Sequence, residues 1–270
     1  MNIIKAVIFQ ILTLSVLSCS NTSQEYVVEL NSNWEFKSEN DKDYLPATVP
    51  GTVHLDLLKN GKIDDPFFRL NEHKQQWIDK LDWDYRTSFD VNDFYFDYDE
   101  IELDFFGLDT YADVYLNDSL IYSSDNMFIG KTVNVKNNIQ KGENNLLIKF
   151  KSPIDIGIEM YDKLGYKLPD NANDLSEIGK VPENKKVGVF ERKAPYSFGW
   201  DWGPRLVTSG IWRPIKINFW NNFQIKDLHF IQKIVEENAL VKAEVEVLSV
   251  YDNLNVNAKI YVDNKIIAND

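Results

Sequence analysis

Hydrophobic and polar residues alternate with a period of two along much of the chain, which is typical of strands with one buried face. Tyr85, Phe89 and Val91 fall on one face of such a segment, and Arg86 falls on the other. Residues 101–105 alternate in the same way. The pattern therefore predicts strands that are half buried and half exposed.

Further strands are predicted at regular intervals, with polar turns between them. One such turn is the Asn117-Asp118 pair, which suits a tight hairpin. The other predicted strands cover residues 26–30, 34–36, 112–116, 120–122, 127–135, 144–150 and 211–219. Many short strands joined by short turns predict an all-β fold, either a sandwich or a jelly roll.

Two helical segments and one loop interrupt this pattern. Residues 52–58 follow Pro50-Gly51 and predict a short helix with Thr52 as its N-cap. Residues 155–164 predict another short helix or an irregular lid. Residues 170–183 are polar, with a proline near each end, and predict an exposed loop.

A second unit is predicted from residue 222 onward, with strands within 225–231, 239–250 and 256–267. An immunoglobulin-like sandwich needs about seven strands and about 100 residues. Residues 222–270 supply less than half of that length. We therefore expect a sandwich or jelly roll over residues 26–221, followed by an incomplete immunoglobulin-like domain over 222–270 of a truncated chain. The alternative is that the last strands join the first sandwich as extra members.

The first residues have the pattern of an export signal. A short basic start precedes an apolar run over residues 6–17, which is too short to span a bilayer. The sequence Val-Leu-Ser-Cys ending at Cys19 resembles a bacterial lipobox. It predicts a signal peptide over 1–18, lipidation of Cys19 and a polar tether over 19–25. The expected location is the periplasm or cell surface of a bacterium, with a lipid anchor in the membrane. The alternative is an ordinary signal peptide in which Cys19 is incidental.

The charge of the chain narrows the classes of ligand. The formal net charge is −13, which disfavours nucleic acid because phosphates need a basic surface. The histidines His54, His73 and His229 are scattered and lack metal-ligand spacing, so neither a metal nor a cofactor is expected. An acidic protein with 13% aromatic residues is compatible with a neutral ligand such as a glycan.

One run of residues is not explained by any secondary-structure period. Asp201 lies between Trp200 and Trp202, and Gly199 and Gly203 flank the three. In a strand, the two tryptophans would share one face and Asp201 would point the other way. Indole rings can cover the C–H groups of a sugar while a carboxylate accepts hydrogen bonds from its hydroxyls. The run therefore suggests a sugar site.

The order of several segments resembles the N-terminal end of family 2 glycoside hydrolases, specifically the β-mannosidase branch. The resemblance rests on residues 30–36, 47–54, 83–86, 106–117 and 192–214. It implies a jelly roll like a galactose-binding domain, then an immunoglobulin-like domain and then a (β/α)8 barrel. Retaining glycosidases use two carboxyl groups, and in this family both lie on the barrel. No residue here is therefore assigned a catalytic role.

The resemblance also implies roles for residues near the tryptophan run. Trp200 would pack against the sugar and Asp201 would accept hydrogen bonds from its hydroxyls. Arg192 and Arg205 would orient Asp201 or line the pocket, while Trp202 and Arg205 would be mostly structural. In the alternative interpretation, both tryptophans fill the sandwich core and Asp201 caps a turn.

The function implied is that of the non-catalytic N-terminal part of an exo-acting β-mannosidase. Its substrate would be a mannose-containing glycan, and the catalytic barrel would be supplied in cis or in trans. Related family 2 activities on galactosides or glucuronides are alternatives. Another alternative is a carbohydrate-binding surface lipoprotein that acts on its own.

Overall fold

The structure is a computed structural model that describes residues 24–170, 173–236, 238–252, 259–262 and 265–269. The predicted signal peptide and Cys19 lie outside the described residues. The first strand begins at Gln24, two residues before the predicted start of the jelly roll.

The described chain is built mainly from antiparallel strands. The strands are β1 (Gln24–Glu29), β2 (Glu35–Ser38), β3 (Leu45–Pro46), β4 (Trp83–Val91), β5 (Glu100–Phe105), β6 (Tyr111–Leu116), β7 (Ser119–Asp125), β8 (Lys131–Asn134), β9 (Gly142–Phe150), β10 (Ile215–Asn221), β11 (Phe223–Val235), β12 (Asn238–Ser249), β13 (Lys259–Val262) and β14 (Lys265–Asn269). The α-helices are α1 (Val53–Lys59) and α2 (Pro153–Leu164).

Two sheets form the sandwich. One has the strand order β1-β10-β5-β8 and the other the order β3-β2-β4-β9-β6-β7. Leu103 and Phe105 from the first sheet and Phe36, Tyr85 and Ile148 from the second belong to one buried cluster. Burying this apolar surface is the main force that holds the two sheets together. The prediction of an all-β sandwich is confirmed.

Alternation along the strands matches their burial. In β4, Tyr85 and Val91 are buried while Arg86 is exposed, as predicted. In β5, Glu102 is also buried although it lies on the outward face. The reason is that the Lys226 ammonium of β11 lies 2.9 Å from its carboxylate.

The hairpin between β6 and β7 follows from two residues. Asn117 and Asp118 have φ angles of 49° and 64°. Positive φ at both central positions matches a type I′ turn, which suits the twist of paired strands. The predicted turn is confirmed.

Both predicted helices are present. Thr52 occupies the N-cap position of α1 with extended backbone, but its side chain makes no capping bond. Helix α2 starts at Pro153, and the Ser152 hydroxyl accepts a hydrogen bond from the Asp155 amide at 3.0 Å. Gly165 ends this helix with a φ of 75°, a conformation that glycine adopts without strain.

Three expectations need correction. The predicted strand over 127–135 is reduced to β8, and the one over 211–219 begins only at Ile215. The exposed loop predicted over 170–183 is not observed at residues 173–183, where Asp174, Ser176 and Val181 are buried. Val181 joins a small second core beneath α2, which also contains Ile154, Val187, Phe198 and Val207.

The last strands pair with one another. β11 pairs with β12 and β13 pairs with β14, and within the described ranges neither hairpin extends the sandwich sheets. No helix in the described part of the chain is long and apolar enough to cross a membrane.

Candidate functional site

The tryptophan run forms a turn and not a strand. The amides and carbonyls of Trp200 and Gly203 exchange two hydrogen bonds of 3.4 Å, and Asp201 and Trp202 form the corner between them. The shared strand face predicted for the two tryptophans is therefore wrong. Their rings instead lie side by side, with centroids 6.3 Å apart and planes inclined by 43°.

The turn projects its side chains outward. Trp202 is 71% exposed, Asp201 is exposed and Trp200 is half-buried. Neither indole therefore fills the sandwich core. The Trp202 ring packs against Trp200 and against Tyr196, whose ring centroid is 6.1 Å away.

A cleft of about 280 Å³ lies beside the turn. Two segments that are far apart in the chain form its walls. The residues that line it are Pro66, Phe67, Arg69, Glu72, Trp200, Asp201, Trp202, Gly203 and Pro204. Pockets for small ligands usually measure about 300–1,000 Å³ and enclose most of the ligand. This cleft is slightly smaller than that range.

The wall opposite the turn was missed by reasoning from sequence. Phe67 is 73% exposed, and the Arg69 guanidinium lies 5.1 Å from the centre of the Phe68 ring. The sequence does carry one sign of this wall, because Phe67 and Phe68 are adjacent in a stretch without period-two alternation. Together with Glu72, this segment gives the cleft an apolar wall and both signs of charge.

The Asp201 carboxylate is available to a ligand. Among the described residues it has no hydrogen-bond or ion-pair partner, and it lines the cleft beside the Trp200 ring. A carboxylate of this kind accepts hydrogen bonds from hydroxyl groups, and an aromatic face covers apolar C–H groups.

Arg205 lies elsewhere. It is 1% exposed, and its Nη1 atom lies 2.6 Å from Asp79 Oδ2 and 2.5 Å from Gln76 Oε1. The Gln76 amide donates in turn to the Arg205 carbonyl at 2.8 Å. Burial raises the pKa of Asp79, and the nearby guanidinium opposes this change. Arg205 therefore holds the chain behind the cleft and does not line it.

Arg192 is also away from the cleft. Its side chain is 62% exposed and pairs with Asp125 at the end of β7. Of the four predicted site residues, the structure brings Trp200 and Asp201 together and places Arg192 and Arg205 outside the cleft.

Sequence reasoning did not identify a buried ion pair made by Lys193, which precedes the turn in the chain. The Lys193 ammonium is fully buried and pairs with the buried Asp109 carboxylate. His54 lies near both groups and is buried, and this burial lowers its pKa to about 4, helped by the charge of Lys193.

No metal-binding group is found in the described ranges, where no three His, Cys, Asp or Glu side chains come together.

Comparison with known proteins identifies the family. Residues 34–213 match the family described as "Glycosyl hydrolase 2 galactose-binding domain-like". The chain belongs to this glycosyl hydrolase 2 family. The match includes the whole tryptophan turn and the segment 66–72 that faces it.

Three proteins that match most of this chain at 32–41% identity are named as β-mannosidases or probable β-mannosidases. The chain is 32% identical to the β-mannosidase of Mus musculus over 83% of its own length and 25% of the relative's. It is 37% identical to a probable β-mannosidase of Caenorhabditis elegans, covering 76% of this chain and 22% of the relative. The crystal structure of a β-D-mannosidase from Dictyoglomus thermophilum matches with a TM-score of 0.76 and 41% identity, covering 83% of this chain and 26% of that one.

More distant structures share the fold alone. A β-D-glucuronidase from Dictyoglomus thermophilum matches at 21% identity with a TM-score of 0.57. The chain spans about a quarter of the length of the β-mannosidases it matches. The resemblance inferred from the five sequence segments is confirmed.

Proposed function

We propose that this chain is the non-catalytic N-terminal part of an exo-acting β-mannosidase and supplies one wall of its sugar site. The observation that carries the proposal is the exposed turn, where the unpaired Asp201 carboxylate lies beside the half-buried Trp200 ring. In the proposed complex, Trp200 packs against the terminal mannose and Asp201 accepts hydrogen bonds from its hydroxyls.

A second wall is required in this proposal. The cleft is small, and Phe67 and Trp202 at its edge are each more than 70% exposed. Large exposed aromatic side chains beside a cleft are typical of surfaces that a partner covers. The partner here is a catalytic barrel, in cis or in trans, which carries the nucleophile and the acid/base carboxyl group.

The names of the more similar relatives favour mannose over other sugars as the ligand. The relatives at 30% identity or more are named as β-mannosidases, whereas the glucuronidase structures match at 16–21% identity. Terminal β-mannosyl residues of glycans are therefore the proposed substrate, ahead of galactosides and glucuronides.

A second candidate is a surface lipoprotein that binds carbohydrate on its own. The apolar run before Cys19 favours export and lipidation, and the aromatic and carboxylate lining of the cleft favours a sugar ligand. In either candidate the protein is placed in the periplasm or at the cell surface, with a lipid anchor on Cys19.

Two measurements on the isolated chain test these candidates. Hydrolysis tests the non-catalytic role that both share, and calorimetry separates one from the other. We expect no hydrolysis of a chromogenic β-mannoside, since the catalytic carboxyl groups come from the barrel. Measurable turnover by the isolated chain would contradict a non-catalytic role. Calorimetry with millimolar mannose should show no saturable heat if the cleft is one wall of a larger site. Saturable heat that Trp200→Ala abolishes would favour the lipoprotein alternative.

A further inference from the structure

The two ends of the segment that carries the tryptophan turn are joined through a single carboxylate. Lys193 precedes the turn and Thr208 follows it. The Lys193 ammonium pairs with Asp109 and donates to the Thr208 carbonyl at 2.6 Å. The Thr208 hydroxyl donates to the other oxygen of Asp109, also at 2.6 Å. Asp109 is itself held by two backbone hydrogen bonds to Gly210, of 2.9 and 3.0 Å.

A second buried ion pair holds the same segment from another side. Arg205 follows the turn by two residues and pairs with Asp79, which lies in the segment before β4. Gly179 packs so closely against this guanidinium that a Cβ atom at that position would lie 2.6 Å from its Nη2 atom. The chain on both sides of the turn is therefore fixed by buried charges.

Buried ion pairs such as these are by themselves weak evidence of stabilisation. Taking two charges out of water is costly, and well-packed apolar replacements of buried pairs are often as stable or more stable. What a buried, directional ion pair does provide is a defined geometry. The turn needs this, because its own two backbone hydrogen bonds are long and residues 199–214 contain no α-helix or extended strand.

We propose that Asp109, Lys193 and Arg205 are positioning residues that fix the orientation of the Trp200–Asp201 turn. The purpose of this orientation rests on the proposed function, since a preorganised turn presents its indole and carboxylate to a sugar without first having to be ordered. The positioning itself can be measured without any ligand.

The test uses the interaction between the two indoles of the turn. At 6.3 Å and 43°, the Trp200 and Trp202 rings should give an exciton couplet in circular dichroism. Trp77 and Trp83 form a second pair at 6.2 Å. Each variant of the full chain is therefore measured with and without Trp202→Phe, and the difference is assigned to the turn.

We expect Lys193→Met and Thr208→Val to lose at least half of this difference signal at 10 °C, well below their unfolding transitions. Lys193→Arg, which keeps the charge and its donors, should retain more of the signal than Lys193→Met. Arg192→Met removes an exposed ion pair one residue away and should leave the signal unchanged. Arg205→Met should also reduce the difference signal, because it removes the ion pair that holds the chain after the turn.

An undiminished couplet in folded Lys193→Met and Thr208→Val would overturn the proposal and leave these groups with a structural role. If Lys193→Met does not fold, Thr208→Val decides, because it removes the two hydrogen bonds of the hydroxyl and keeps the ion pair. Since no sugar is present, a failure of the mannose assignment would not change this result.

Discussion

At the scale of single residues, burial separates groups that bind from groups that hold the chain in place. Asp201 is exposed and, in the described structure, unpaired, so its oxygens are open to hydroxyl groups of a ligand. Asp109 is buried and its oxygens accept from Lys193, Thr110 and Thr208. An aspartate side chain can therefore have either of two roles, and its exposure to solvent decides between them.

Glu191 is a third case, in which burial changes the pKa of a carboxyl group. Both of its carboxylate oxygens are buried, close to Gly157 and the Tyr111 hydroxyl. Burial raises the pKa of Glu191 to about 8, from an ordinary value of 4.5. Between these values the folded protein binds a proton that the unfolded chain does not. The free energy of unfolding should therefore fall as the pH rises through this interval.

Glu191→Gln should remove this pH dependence, because glutamine stays neutral. We expect the wild-type chain to lose unfolding free energy between pH 6.5 and 8, by at most about 1.4 kcal/mol per pH unit, relative to the variant. His54 is present in both proteins, so its contribution to the pH dependence cancels in the comparison. Urea unfolding at several pH values gives the comparison.

The matched control is Glu183→Gln, which changes an exposed carboxylate in the same part of the chain. It should leave the pH profile unchanged. Parallel profiles for wild type and Glu191→Gln would show that Glu191 is not protonated in the folded protein.

At the scale of elements, the two glycines that flank the tryptophan turn contribute to it in different ways. Gly199 has a φ of 117°, and a Cβ atom there would lie 2.7 Å from the Leu175 side chain. Gly203 has no atom within 4 Å of its Cβ position and no positive φ. Only the first glycine is therefore required by the backbone and its packing.

Alanine substitutions at these two positions should separate their roles. Gly199→Ala should cost about 2 kcal/mol of unfolding free energy, from backbone strain and the contact with Leu175. Gly203→Ala should change it by less than about 1 kcal/mol, in the stabilising direction. Thermal or urea unfolding measures both, and equal effects would contradict this account of the turn.

The elements also show what the sequence predicts and where it stops. Alternation located β4 and β5, and the Asn117-Asp118 pair located a hairpin, because both signals act over a few residues. The loop at 170–183 was mispredicted because its composition is polar while Val181 joins a core built from residues far along the chain. Local patterns do not carry such tertiary contacts.

At the scale of the whole molecule, the cleft exists because the fold brings two distant segments together. The turn at 200–204 was singled out from its composition, but the facing segment around Phe67 and Arg69 was not. The roles of Arg192 and Arg205 could not be assigned from sequence either. Their partners, Asp125 and Asp79, lie 67 and 126 residues away.

The cleft is lined only by residues that precede the later hairpins in the chain. Its lining residues all precede β10, whereas β11 contacts the sandwich through the ion pair of Lys226 with Glu102. The proposed catalytic barrel must therefore approach the sandwich at the turn, so that Asp201 and the barrel's carboxyl groups face one sugar.

The most direct measurement of this claim is the activity of a chimera. In the β-D-mannosidase of Dictyoglomus thermophilum, the part matched by this chain is replaced by the aligned part of this chain. The chimera should hydrolyse a chromogenic β-mannoside. Asp201→Asn should lower kcat/KM by roughly 10- to 100-fold, because a hydrogen bond to a charged group is lost.

Asp125→Asn, an exposed aspartate at the end of β7 that lies outside the cleft, is the matched control and should leave kcat/KM within about twofold. An inactive chimera, or equal effects of Asp201→Asn and Asp125→Asn, would contradict the conclusion that the Trp200–Asp201 turn forms one wall of a mannose site.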